Sequence, residues 1–140
     1  MNYYNEIKNK LIYNEVYKEV KDYSKNKNDL TTYYEVGKLL CEAGNKYEER
    51  TIKKYSKRLV IEVGKKYNKR TLFRMRQFYN MIEIQKVSPV ATKLMWSHYT
   101  EILSLSNINE INYSINITEE YNLSVRELRE RLKTKNIKYY

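Results

Sequence analysis

Glycine, proline, cysteine and histidine are scarce. Three glycines and one proline in 140 residues leave little material for tight turns. This excludes a sandwich or barrel of many short strands and favours a mostly helical chain. The lone cysteine, Cys41, cannot close an internal disulfide and fits a reducing cytoplasm. The lone histidine, His98, leaves no second imidazole for a metal site or a triad. Gly37, Gly44 and Gly64 stand far apart, so no glycine-rich phosphate loop can form. No apolar run approaches the roughly 20 residues that a helix needs to cross a bilayer. The start, Met1–Glu6, lacks a basic stretch leading into an apolar one, so no signal peptide is expected. What is there is 41% hydrophobic and 31% charged, the balance of a globular chain and the length of one domain.

The net charge of +10 is placed unevenly. Residues 1–50 hold nine Lys or Arg and nine Asp or Glu. Residues 51–86 hold 11 basic residues against two acids, Glu62 and Glu83. Residues 87–140 hold seven basic and six acidic residues. A solvated face ordinarily mixes both signs, because concentrated like charge repels itself. A basic segment of this kind points to a polyanion. A membrane surface competes as partner, but an amphipathic anchor would need large exposed apolar residues beside its lysines. The 16 tyrosines are spread along the chain as core and boundary residues. Six of the eight arginines fall into two clusters, Arg70, Arg74, Arg76 and Arg126, Arg129, Arg131. Guanidinium forks suit phosphates and guanine edges, although arginine is also a good helix former on a wet face.

The hydrophobic period predicts helices throughout. Ile7, Leu11, Val16, Val20 and Tyr23 mark the inner side of a first helix over 3–23. Residues 24–29 are polar and read as a loop. A second helix runs from about Leu30 to Ala43, with Tyr33, Tyr34, Gly37 and Leu40 inward, closed by Gly44 and Asn45. The third starts near Thr51, carries Ile52, Tyr55, Leu59 and Val63, and stops at Gly64. Asn68 then caps a long helix to about Gln85, with Leu72, Met75, Tyr79 and Ile82 buried; Val87, Ser88 and Pro89 end it. Ser97 is placed as the cap of a helix to Leu105. Asn107 with Glu110 opens a helix carrying Ile108, Ile111 and Ile115. Ser124 with Glu127 forms a capping box for the last helix, with Val125, Leu128 and Leu132 inward. The expected fold is one compact all-α domain over 1–140, with six or seven helices.

A helix closed by glycine, a tight link and a capped helix with an apolar stripe is the sequence form of a helix-turn-helix, here about 51–85. Its second helix would enter the major groove. Opposite the stripe lie Arg70, Arg74, Gln77 and Met81, flanked by Lys69, Phe73 and Asn80. Arginine with guanine and glutamine with adenine are standard base-edge pairs. Lys53, Lys54, Lys57 and Arg58 on the preceding helix, and Lys65 and Lys66 in the link, suit phosphates. An antiparallel hairpin with a wet basic face would give the same pattern. Arg126, Arg129 and Arg131 are interrupted by Glu127 and Glu130. They read as solvated surface, with an auxiliary phosphate contact as second reading. His98 is expected to be packed or capping, Cys41 small and buried, and Trp96 a core anchor.

Several runs carry a resemblance. Tyr33-Tyr34-Glu35-Val36-Gly37, Tyr55-Ser56-Lys57-Arg58-Leu59, Leu72-Phe73-Arg74-Met75-Arg76-Gln77-Phe78-Tyr79, Leu94-Met95-Trp96-Ser97-His98-Tyr99 and Leu123-Ser124-Val125-Arg126-Glu127-Leu128 span about 30–132. Over this range the chain resembles the N-terminal helical domain of YhcG-type bacterial proteins, which precedes a PD-(D/E)XK nuclease domain. The resemblance implies a helix-turn-helix or winged-helix DNA-binding module. Asn68, Thr71 and Leu123 depart from residues usual in the family (Ser, Asn and Trp), and the change at 71 bears on any shared base preference. The nuclease half is expected to be absent, since no Asp followed by Glu-x-Lys on strand-like sequence occurs.

The expectation is therefore a non-enzymatic, cytoplasmic protein without cofactor or metal, whose partner is double-stranded DNA and not a membrane. Homodimerisation stays open, and RNA is a weaker partner because no single-strand stacking sheet is expected. The alternative from another class is a phage or mobile-element inhibitor, of anti-CRISPR or anti-restriction type. It would place the same basic face on a host nuclease or CRISPR effector complex.

Overall fold

A computed structural model describes residues 2–20, 25–44, 48–83 and 93–134. Among these residues there are seven helices and no strand: α1 (Tyr3–Val20), α2 (Lys25–Gly44), α3 (Glu48–Glu62), α4 (Lys69–Glu83), α5 (Trp96–Ile102), α6 (Ile108–Tyr121) and α7 (Val125–Lys133). The all-α expectation is met. Residue contacts divide the chain into two units, Met1–Asn80 and Met81–Tyr140.

In the first unit α1 buries Tyr4, Ile7, Leu11 and Asn14, a 3-4-3 spacing that holds one helical face inward. Val16 does not continue it and is 54% exposed. The five-residue step from Leu11 turns it about 140° away from the stripe. Asn14 is tolerated in the interior because its amide donates to Asp29 Oδ1 at 2.8 Å. That contact needs α2 to begin before Leu30. Residues 25–29, expected as loop, are helical, since no glycine or proline interrupts them. Ser24, Asn45 and residues 84–92, with the expected helix end at Val87-Ser88-Pro89, lie outside the described residues.

Tyr33, Val36 and Leu40 of α2 and Ile52 and Leu59 of α3 are buried, and α2 packs along both α1 and α3. A Cβ on Gly37 would collide with the carbonyl oxygen of Met75 and lie 2.8 Å from Tyr79 Cβ. The missing side chain is therefore what lets α4 meet α2 backbone to backbone. The Tyr34 and Tyr79 rings flank this approach, 5.1 Å apart, and Cys41, only half-buried, donates to Asn80 Oδ1 at 3.5 Å. On α4 the buried residues are Leu72, Met75, Phe78 and Met81. The stripe thus follows Phe78 rather than Tyr79 after Met75, both being helical neighbours of it, and Met81 lies inside rather than on the outer face.

In the second unit two helix starts follow the sequence. Asn107 Oδ1 accepts from Asn109 N at 2.7 Å. Ser124 and Glu127 exchange both capping-box bonds, and these hold the Glu127 carboxyl below its usual range. Ser97 is not the cap of α5. The helix starts at Trp96, and Met95 N–H donates to His98 Nδ1 at 2.9 Å. The other ring nitrogen lies 2.8 Å from the Leu123 carbonyl oxygen, so the buried imidazole carries its proton on Nε2 and ties the start of α5 to the α6–α7 link. Asn122 ends α6 in the left-handed region at φ 51°, which asparagine tolerates. Arg129 reaches back to Glu101 with two nitrogens at 2.8 and 2.9 Å. Trp96 is half-buried.

Gly37→Ala is expected to destabilise the protein by about 1–3 kcal/mol through overpacking against backbone. The loss would appear as a lower urea midpoint with an unchanged slope; an unchanged midpoint would contradict the close approach.

Candidate nucleic-acid interface

The basic stretch becomes two helices and a corner. The end of α3 is closed by two amides that converge on one carbonyl: Val63 N and Gly64 N donate to Leu59 O at 2.8 and 3.0 Å. Tyr67 N returns to Gly64 O at 3.1 Å. Asn68 then caps α4, its Oδ1 accepting from Thr71 N at 3.0 Å. The two helices do not run alongside each other as an antiparallel hairpin would. α3 lies along α2 instead, and α4 meets α2 at Gly37.

The corner is fixed by Tyr67, which belongs to none of the apolar stripes that the spacing predicts. Its ring is 1% exposed and its hydroxyl donates to Glu15 of α1. Burial first, and then the Glu15 carboxylate, hold this phenol well above its ordinary range. Lys66 adds a second tie, with Nζ 2.5 Å from Glu15 Oε1. α1 also grips the end of α3. Tyr4 OH donates to Glu62 Oε1 at 2.6 Å, Lys8 Nζ lies 3.2 Å from the same oxygen, and the Arg58 guanidinium stacks 3.8 Å above the Tyr4 ring. Arg58 further pairs with Glu62 Oε2 at 3.7 Å. The Tyr4 hydroxyl, then Lys8, hold the Glu62 carboxyl below its usual range. Burial, then Glu62, pushes the Tyr4 phenol up to about 12.

The sequence-predicted residues therefore divide. Arg58 and Lys66 are engaged by carboxylates of the same unit. Phe73 and Arg74 are half-buried, and the Phe73 ring lies 4.9 Å from the Arg76 guanidinium. Lys53, Lys54 and Lys57 on α3, Lys65 in the link, and Lys69, Arg70 and Gln77 on α4 are all exposed. No ion pair involves these seven among the described residues. Lys54 and Lys57 share a face of α3 with Ile61, which is 85% exposed, an apolar tip among cations that charge counting overlooked. Arg70 and Gln77 stand two turns apart on one side of α4, about 10 Å along its axis.

No three His, Cys, Asp or Glu side chains come together as a metal site among the described residues, and no described helix is long and apolar enough to cross a membrane. His98 is consumed by its two backbone contacts.

The profile of the DUF1016 N-terminal domain matches residues 8–138. The chain belongs to the DUF1016 N-terminal domain family. This agrees with the resemblance to the YhcG-type N-terminal domain. No curated protein and no solved structure matches the chain. The DUF1016 N-terminal match runs through both units and contains the whole of the α3–α4 corner.

The depressed Glu62 carboxyl fixes the sign of a pH effect. Its contribution to stability is complete above the ordinary carboxyl value of 4.5 and is lost as pH falls below that value toward the folded-state one. Glu62→Gln is expected to lower stability at neutral pH and to flatten the loss on acidification, measured by urea unfolding between pH 7 and 3. Parallel curves for the two proteins would contradict the clasp.

Proposed function

We propose that residues 48–83 bind double-stranded DNA in the manner of a helix-turn-helix, without catalysis. α4 lies toward the major groove, and α3 and the link lie on the phosphate backbone. The observation that carries this reading is the row of exposed, unpaired cations over both helices and the link. Between Lys53 and Gln77 the only acid is Glu62, and it is occupied by Arg58 and α1. Unbalanced charge held on a rigid corner attracts a polyanion with little reorganisation on binding.

The half-buried state of Phe73 and Arg74 narrows the base-reading set. Arg70, in the first turn of α4, and Gln77 are the side chains of this face that reach outward, and their chemistry fits guanine and adenine edges. Lys53, Lys54, Lys57, Lys65 and Lys69 supply register through phosphates. Splayed helices meeting at a capped corner suit this task better than a hairpin would, because one helix can enter a groove while its neighbour crosses the strand.

Neutralising roughly six phosphates predicts a log–log salt slope of about −5. The paired reversals Lys57→Glu and Arg70→Glu are expected to weaken duplex binding at least tenfold (about 1.4 kcal/mol) and to leave the far-UV circular dichroism unchanged. Retained affinity at low salt would reject this surface. The alternative inhibitor reading has its own signature, a stoichiometric host protein partner that survives nuclease treatment while free duplex is not bound.

A further inference from the structure

Ile61 is the most exposed large apolar side chain among the described residues, at 85%. Nine residues, or about two and a half helical turns, separate it from the buried Ile52, which places it on the pole of α3 opposite the core. Lys57 and Lys54, both exposed, precede it by four and seven residues on that same line, and the exposed Lys65 follows in the link. The neighbouring acid, Glu62, is occupied by Tyr4, Lys8 and Arg58. A β-branched residue is a weaker helix former than lysine, glutamate or alanine. Ile61 therefore serves α3 neither by packing nor by propensity. Single exposed apolar residues are ordinary on a protein surface; this one differs in continuing a row of cations without ion pairs.

We propose that Ile61 is a specificity-determining contact of the α3–α4 surface, packing on the C5-methyl group of a thymine in the major groove. This rests on the duplex reading above and adds a base preference to a helix otherwise assigned to phosphates. Charge complementarity sets the class of occupant. The lysines draw in a polyanion, and what they draw in is brought against the isoleucine on their line. The chemistry of the duplex then sets the group. Phosphates are anionic, and the major-groove edges of guanine, adenine and cytosine present hydrogen-bonding atoms. An aliphatic side chain set against these strips water from donors and acceptors and returns no bond. The thymine methyl is the apolar group of that groove. Position agrees. Ile61 lies in the last turn of α3, and of the row Lys54, Lys57, Ile61 it is nearest in the chain to α4, whose first turn carries Lys69 and Arg70.

The cations and the isoleucine then act differently. The cations bind any sequence, with a strength that falls as salt rises. The methyl contact adds a preference for thymine that salt leaves unchanged, because no counterion is released by it. Burying one methyl contributes roughly three- to fourfold in affinity.

Two alternating duplexes test this, one of deoxyadenosine and thymidine, the other of deoxyadenosine and deoxyuridine, which differ in the C5-methyl alone. Fluorescence anisotropy is expected to show the wild type binding the thymidine duplex roughly three- to fourfold more tightly. Ile61→Gln keeps a good helix former at an exposed site, so its circular dichroism should be unchanged. It should bind both duplexes alike, with the salt slope of the wild type. Ile61→Leu should retain the preference. Lys57→Glu should weaken binding to both duplexes and leave their ratio intact. Equal binding of the two duplexes by the wild type, or a preference that survives in Ile61→Gln, would overturn the methyl contact and leave the DNA reading standing. A loss on both duplexes in Ile61→Gln without a methyl preference would place the side chain on deoxyribose and overturn it likewise. Failure of the wild type to bind either duplex would reject the DNA reading itself, and this contact with it.

Discussion

A buried tyrosine in a six-residue link, Val63–Asn68, is the constraint on which the rest of the first unit depends. Removing an aromatic side chain from water contributes about 1.5–3 kcal/mol, and its hydroxyl is bonded rather than stranded. The Tyr67 ring therefore sets where the link can lie, and Glu15 sets which helix it lies on. With Asn68 capping α4 and Gly37 admitting α4 against α2, the direction of α4 is determined by three independent contacts. None of them uses the outward cations, which are left available.

The electrostatics of the corner show a division of labour. Acidic residues near it are consumed in holding it together: Glu15 by Tyr67 and Lys66, Glu62 by Tyr4, Lys8 and Arg58. What remains outside is of one sign. Such a surface repels itself and costs stability, modestly at physiological salt because the Debye length is about 8 Å. Evenly mixed charge would be the stabilising choice, and the second unit shows it, where Arg129 finds Glu101 and α7 alternates both signs. The contrast between this corner and the second unit is why the charge of the corner reads as serving a ligand rather than the fold.

Much of the architecture could be read from local chemistry. Asn68, Asn107 and the Ser124–Glu127 box lie where capping chemistry puts them, because a cap depends on residues within one turn. Contacts between distant segments were not legible in the same way. Residues 25–29 look like a loop by polarity, yet form helix because nothing breaks it and Asn14 waits for Asp29. The spacing places Val16 inward and Met81 outward, and the structure reverses both, because near-equivalent apolar spacings compete on one helix. His98 displaced Ser97 as the group that closes the start of α5, through a ring nitrogen that spacing rules do not consider. At the corner, composition located the cations, but only packing separates Arg58 and Lys66, which tie the unit together, from Lys57 and Arg70, which face outward.

The proposed uptake of duplex DNA by one surface is examined most directly by an amide chemical-shift titration of the labelled protein with a short duplex. The predicted result is saturable shifts concentrated at Lys53, Lys54, Lys57, Lys65, Lys69, Arg70 and Gln77 and their neighbours, fading as salt is raised. Shifts centred on Arg126–Lys133 instead, or none at low salt, would contradict it.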